Sequence, residues 1–153
     1  MAFTPTALTL PFYPFKLTQK LGQYYIFDEI RKKQILLTPE EWVRQHFIQF
    51  LINEKKFPKS LIQVEGGLVL NALQKRTDIL VYNLKGEKLM IIECKAPSIK
   101  LNQEVFDQAA RYNLVHKAPY LAITNGLSHF YASINHLEGK ATFMEELLPF
   151  HEL

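Results

Sequence analysis

Asp78, Glu93 and Lys95 are the residues whose types and spacing could do chemistry together. Two apolar stretches, Ile79–Tyr82 and Leu89–Ile92, lie between the two acids and flank Lys85-Gly86. A hairpin with Lys85-Gly86 as its loop sets Leu84 opposite Glu87, Tyr82 opposite Leu89, Leu80 opposite Ile91 and Asp78 opposite Glu93. Directly opposed residues share one face of a sheet, with Cβ atoms roughly 4.5–5.5 Å apart. Side chains alternate along a strand, so Lys95 joins Glu93 and Cys94 points to the core. If Glu87 joins the loop, a two-residue change in the pairing sum sets Asp78 opposite Lys95, and the cluster survives.

Opposed carboxylates repel, so something must compensate them. A hard divalent cation does this well. Mg²⁺ (or Mn²⁺) takes one or two carboxylates together with waters and phosphate oxygens. Lys95 could then orient a water or stabilise charge developing on a phosphoryl group. Lys75, Arg76, Lys100 and Arg111 surround the cluster in sequence. As a basic rim they suit phosphate contacts, which position DNA without reading its sequence. Their plainer reading is a solvated surface. Neither a recognition helix nor a zinc finger is apparent, so sequence specificity would have to come from a partner.

The elements that must position these residues can be read along the chain. Residues 1–20 carry Pro5, Pro11 and Pro14 among aromatic and aliphatic residues, which predicts an extended arm packed on the domain. Gln23–Asp28 and Lys33–Leu37 read as a β-hairpin. Thr38-Pro39-Glu40-Glu41 is a helix start, with Thr38 as cap, Pro39 in the first turn and Glu41 completing a capping box. Val43, Phe47, Phe50 and Leu51 carry that helix to about Lys55. Leu61–Leu70 is a strand candidate interrupted at Gly66-Gly67, a bulge or a close approach to DNA. Thr77–Asn83 and Lys88–Lys95 form the hairpin. Asn102 caps a helix to about His116, Tyr120–Thr124 and Ser128–Ile134 are strands, and Phe143–Leu148 is expected to be a short helix. Leu89–Ile92 is apolar on both faces, as in a strand covered from both sides. The predicted class is mixed α/β (α+β), a central sheet flanked by helices with a β-rich N-terminal extension. Residues 1–37 would form that extension and 38–153 the main body.

Composition sets outer limits. At 153 residues, 48% hydrophobic and 22% charged, the chain has globular proportions. A chain of this mass buries roughly 69% of its unfolded surface. The net charge of +3 is compatible with nucleic acid but weak as an indicator. The one cysteine, Cys94, cannot form an internal disulfide, which suggests a reducing compartment, and the setting expected is the cytoplasm. No apolar run reaches the ~20 residues of a membrane span. The five histidines fit no zinc spacing. There is neither space for an ATP-driven motor nor a Gly-x-x-x-x-Gly-Lys-Ser/Thr loop.

Asp78 followed by Glu93-Cys94-Lys95 resembles the Asp…Glu-x-Lys signature of PD-(D/E)XK nucleases. Four segments extend the likeness: residues 38–45 (TPEEWVRQ), 76–81 (RTDILV), 92–97 (IECKAP) and 108–112 (QAARY). With Leu10–Pro14 and Ile26–Asp28 they make the chain similar to the N-terminal domain of the type I restriction enzyme R subunit, in a small stand-alone form. The resemblance implies a restriction-endonuclease-like fold and a Mg²⁺- or Mn²⁺-dependent deoxyribonuclease. It implies that Asp78, Glu93 and the carbonyl of Cys94 hold the metal and that Lys95 positions the attacking water. It also implies a helix acid, Glu40 or Glu41. Glu40 is favoured because Val43 and Phe47 follow it at i+3 and i+7 on the inward face. Gln108 resembles the glutamine that follows the motif, with Tyr112 one turn later. Thr77 stands where the family name has proline, a change that does not affect ligation. The implied partners are DNA, methyltransferase, specificity or motor subunits, and a second copy in a homodimer. The alternative function is a catalytically silent DNA-binding or assembly module.

Overall fold

The computed structural model describes residues 5–64 and 78–153. Among them are two α-helices, a three-stranded sheet and a six-stranded sheet. The small sheet is antiparallel, with β1 (Leu17–Lys20), β2 (Gln23–Asp28) and β3 (Lys33–Leu36) in chain order. Leu21 and Gly22 form its first turn at φ 51° and 79°. Positive φ at both positions matches the right-handed twist of the flanking strands.

The large sheet runs β4 (Ile62–Val64), β5 (Ile79–Tyr82), β6 (Lys88–Cys94), β7 (Tyr120–Thr124), β8 (His129–Asn135) and β9 (Lys140–Met144), in that spatial order. β6 and β7 are parallel and the other pairings antiparallel. Parallel neighbours need a crossover. Helix α2 (Gln103–His116) supplies it.

The two helices cover opposite faces. On α1 (Pro39–Asn53), Val43, Phe47 and Leu51 recur every fourth residue and are fully buried. They pack with Ile79, Val81, Met90, Ile92 and Cys94. On the other face Phe106 and Ala109 of α2 pack with Leu80, Ile91, Leu121 and Ile123. β6 therefore feeds both cores, as its doubly apolar sequence requires. Each fully buried Phe, Leu or Ile contributes roughly 1.5–3 kcal/mol.

Most expected boundaries hold within two residues. The Thr38 hydroxyl accepts the Glu41 N–H at 3.0 Å, and Asn102 accepts the Val105 N–H at 3.0 Å. Two bonds tie the start of the chain to the rest: the Trp42 indole donates to the Thr6 carbonyl, and the Thr9 N–H donates to the Gly126 carbonyl. A Cβ on Gly126 would lie 2.7 Å from Leu8, so glycine lets the arm close onto the sheet.

Two expectations are corrected. The expected helix over Phe143–Leu148 does not form: Phe143 and Met144 end strand β9, which pairs with β8 from Asn135↔Lys140 to Tyr131↔Met144, residues 145–148 are non-helical, and a 3₁₀ turn follows at Phe150–Glu152. Asn135 accepts the Leu137 and Glu138 N–H groups and, with Gly139 at φ 67°, turns the chain back onto β8. Ladder hydrogen bonds then prevail over a short helix that would lack nucleation length. The hairpin loop also differs. Asn83 faces Glu87, and Tyr82 pairs with Lys88, not Leu89. The Asn83 side chain accepts the Lys85 and Glu87 N–H groups, which draws Leu84 into a three-residue loop. An irregularity between Val81 and Tyr82 absorbs the offset and restores the expected Leu80↔Ile91 pair. The expectations for Gly66-Gly67 and Thr77 lie outside the described residues.

Candidate functional site

Asp78 occupies the bend before β5. Extending the Ile79↔Ile92 register by one residue brings it across from Glu93. Its Oδ2 accepts the Cys94 N–H at 2.7 Å, so the start of β5 is tied to the end of β6. Glu93 is 5% exposed. Lys95 Nζ lies 3.2 Å from Glu93 Oε1, as strand alternation requires. The Lys95 N–H donates to Thr124 on β7, which fixes the backbone below the ammonium. Cys94 turns to the α1 core and burial pushes its thiol well up, so the thiol is a packed apolar group.

Burial pushes Asp78 up to about 6. Arg44 pulls it back and the charge of Glu93 pushes it further up. The two carboxylates are thus close enough to oppose one another's ionisation.

Arg44 on α1 had no assigned role from the sequence, and it is 5% exposed. Its Nη2 donates to Asp78 Oδ1 at 2.8 Å and to Glu40 Oε1 at 3.0 Å. Its Nη1 donates to Glu41. Burial alone would lower its pKa, but Glu41 and Asp78 more than offset this and hold it above the ordinary value. Glu41 does not return to the Thr38 N–H. Its carboxylate accepts from Arg31, Arg44 and Gln45. Arg31 and Gln45 also bond Asp28, which is fully buried. Glu41 is therefore buried within the ion-pair network, and Glu40 is the acid that shares an Arg44 nitrogen with Asp78. The i+4 and i+3 spacings of Glu40 and Glu41 to Arg44 were the available signal in the sequence.

Of the remaining candidates, Lys100 and Arg111 are not hydrogen-bonded or ion-paired to the cluster among the described residues. Gln108 and Arg111 are exposed on α2, and Tyr112, one turn after Gln108, is buried. Gln108 has no hydrogen bond to the cluster among the described residues. Lys100 is exposed just before α2. Lys75 and Arg76 lie outside the described residues.

Among the described residues, no group of three or more His, Cys, Asp or Glu side chains is arranged to hold a metal ion. The protein's own offer is the Asp78–Glu93 pair. That suits a hydrated hard cation such as Mg²⁺, which needs only one or two carboxylates, and not a fully protein-ligated ion. Asp78, largely buried and raised to about 6, stands beside a second carboxylate and is already paired with Arg44.

No helix among the described residues is long and apolar enough to cross a membrane. No curated protein matches the chain. Among solved structures it is similar to a fragment assigned as an HsdR subunit of a type I restriction enzyme from Vibrio vulnificus YJ016. The identity is 22% and the TM-score 0.40, over 60% of this chain and 17% of that one. The chain therefore spans less than a fifth of that neighbour's length. The family model of the type I restriction enzyme R protein N terminus (HSDR_N) matches residues 39–149. That span runs from the first residue of α1 past β9, taking in Arg44, the Asp78–Lys95 hairpin and α2, and it places this chain in the type I restriction enzyme R protein N-terminus family.

Proposed function

We propose that the chain is a PD-(D/E)XK-type nuclease domain that hydrolyses DNA phosphodiester bonds with Mg²⁺ or Mn²⁺. The observation that carries this reading is the convergence of Asp78, Glu93 and Lys95 at one end of the β5–β6 hairpin. Asp78 and Glu93 would hold the cation, with the Cys94 carbonyl as a third oxygen. A cation bound there supplies charge neutralisation at the phosphoryl group.

The chain's own residues do the rest. Glu93 holds the Lys95 ammonium in place, and the Lys95 side chain keeps 25% exposure, enough to meet a substrate. There it orients the attacking water and donates to the phosphoryl oxygens on which negative charge develops. Arg44 keeps Asp78 ionised against the cost of its burial. Lys100 and Arg111 contact phosphates outside the reacting bond, with Lys75 and Arg76, and Gln108 lines the approach. DNA is the substrate, and methyltransferase, specificity or motor subunits supply site choice and strand movement. A homodimer is the form in which two strands could be cut together.

One observation favours a second reading. Both Asp78 oxygens are already engaged, by Arg44 and by the Cys94 N–H. A guanidinium that stands in for the cation suits a catalytically silent DNA-binding or assembly module. A cleavage panel over single-stranded, duplex and branched DNA and RNA, with metals varied, separates the two. Cleavage lost in both Asp78→Ala and Lys95→Ala supports the nuclease. Salt-sensitive binding without cleavage under any divalent metal supports the module. Activity that survives both substitutions overturns the site.

A further inference from the structure

A line of paired charges runs from the small N-terminal sheet to Asp78. Asp28, the last residue of β2, accepts from Arg31 Nε at 2.6 Å. Arg31 Nη2 reaches Glu41 Oε2 at 2.9 Å. Glu41 Oε1 accepts from Arg44 Nη1, and Arg44 Nη2 reaches Asp78 Oδ1 at 2.8 Å. Every side chain along it is at most 15% exposed. Gln45 braces the line by donating to both Asp28 and Glu41.

We propose that Arg44 is the positioning residue of the hairpin site, and that the small sheet sets the place of Asp78 through Arg31, Glu41 and Arg44. Its catalytic half rests on the nuclease reading; its positional half does not. The guanidinium is planar and rigid, so its two ends act in fixed relation. Nη1 is anchored on Glu41, which Arg31 and Gln45 hold from the far side. Nη2 therefore presents one fixed point to both Glu40 and Asp78. Asp78 in turn has one oxygen on Arg44 and the other on the Cys94 N–H, so its carboxylate is held from two elements. A lysine ammonium would keep the charge but not the two-ended geometry. Arg31 touches neither Asp78 nor Lys95 in this line, so its effect on the site must pass through Glu41 and Arg44.

The test uses the full chain with Arg44→Lys, Arg31→Lys and, as a control, Lys59→Ala. Lys59 belongs to an exposed pair with Glu29 outside the line. The Cys94 amide resonance reads the position of Asp78 without metal or substrate. It is expected to move in Arg44→Lys and in Arg31→Lys, and to stay in Lys59→Ala. In cleavage assays, kcat is expected to fall about 100-fold in Arg44→Lys with KM for DNA unchanged, since small misplacement of a reacting group costs that much. Should Arg44→Lys fail to fold, Arg31→Lys carries the same comparison. A Cys94 amide that coincides with wild type in the folded variants, or an unchanged kcat in Arg44→Lys, overturns the proposal. If wild type cleaves nothing but the Cys94 amide moves in Arg44→Lys and Arg31→Lys, the positioning role stands and the nuclease reading is removed instead.

Discussion

Asp78 Oδ2 accepts the Cys94 amide at 2.7 Å, sixteen residues along the chain. This bond closes the open end of the β5–β6 hairpin and brings Asp78 beside Glu93 and Lys95. It also explains the type of residue at position 78. A short acid reaches the amide of the facing strand while its other oxygen remains for Arg44.

Lys95→Ala is expected to reduce kcat by roughly 100- to 1,000-fold, the usual cost of losing one donor to transition-state charge. Binding of Mg²⁺ without DNA should persist, because Lys95 is not a ligand. Steady-state cleavage alongside metal-binding calorimetry checks both halves.

Mg²⁺ or Mn²⁺ should stabilise the folded chain in the absence of DNA. A ligand at a hundredfold excess over its Kd adds about 2.7 kcal/mol. Thermal unfolding with and without the cation measures it. The shift should disappear in Asp78→Ala.

The metal-free chain should lose stability as pH rises through the range that titrates Asp78. Its folded pKa is raised to about 6, against about 3.9 for an unperturbed aspartate. Between those values the folded state binds more protons than the unfolded one, so stability falls as pH rises, by roughly 2–3 kcal/mol from this group. Asp28 acts with the opposite sign. Burial would raise its pKa, but Arg31 and Gln45 lower it below the ordinary value. Its contribution is present above the unfolded pKa and lost as pH falls through the folded one. Denaturant titrations of wild type and Asp78→Asn from pH 4 to 8 resolve the two. The variant should gain on wild type above pH 6 and show little difference near pH 4.

DNA affinity should fall steeply with salt, because each phosphate contact releases counterions. Lys100→Ala and Arg111→Ala should each reduce the slope of log K against log salt by about 1, uniformly across sequences. Binding measured at several salt concentrations tests this.

Lys117 ends α2 with φ 56°, a left-handed conformation that a side chain resists. Lys117→Gly should stabilise the chain by about 1 kcal/mol. The Asn113 side chain, which bonds both the N–H and the carbonyl of Ala118, should keep the exit geometry unchanged. Equilibrium unfolding checks this.

Local signals made much of the architecture legible. Thr38-Pro39 and Asn102 marked both helix starts, and the doubly apolar β6 marked a strand between two layers. The alternation Glu93-Cys94-Lys95 placed acid and base on one face and the thiol on the other, as found. What was not legible depended on side chains bonding backbone or one another across the chain. Asn83 enlarged the hairpin loop and Asn135 turned β9 onto β8. Arg44 lay in view among the residues that carried the resemblance. Its role appears only once folding brings Asp78 against α1, thirty-four residues away in sequence. The pairing of Glu41 with Arg31 likewise depends on how the small sheet meets the helix.

The most direct test of the nuclease assignment is single-turnover cleavage of duplex DNA by the folded chain in Mg²⁺, compared with Asp78→Ala and Lys95→Ala at equal folded concentration. The expected result is metal-dependent strand scission by wild type that both substitutions reduce at least to the level of metal-free protein. Scission that continues undiminished in either variant, or no scission by wild type with any substrate form or divalent metal, would contradict it.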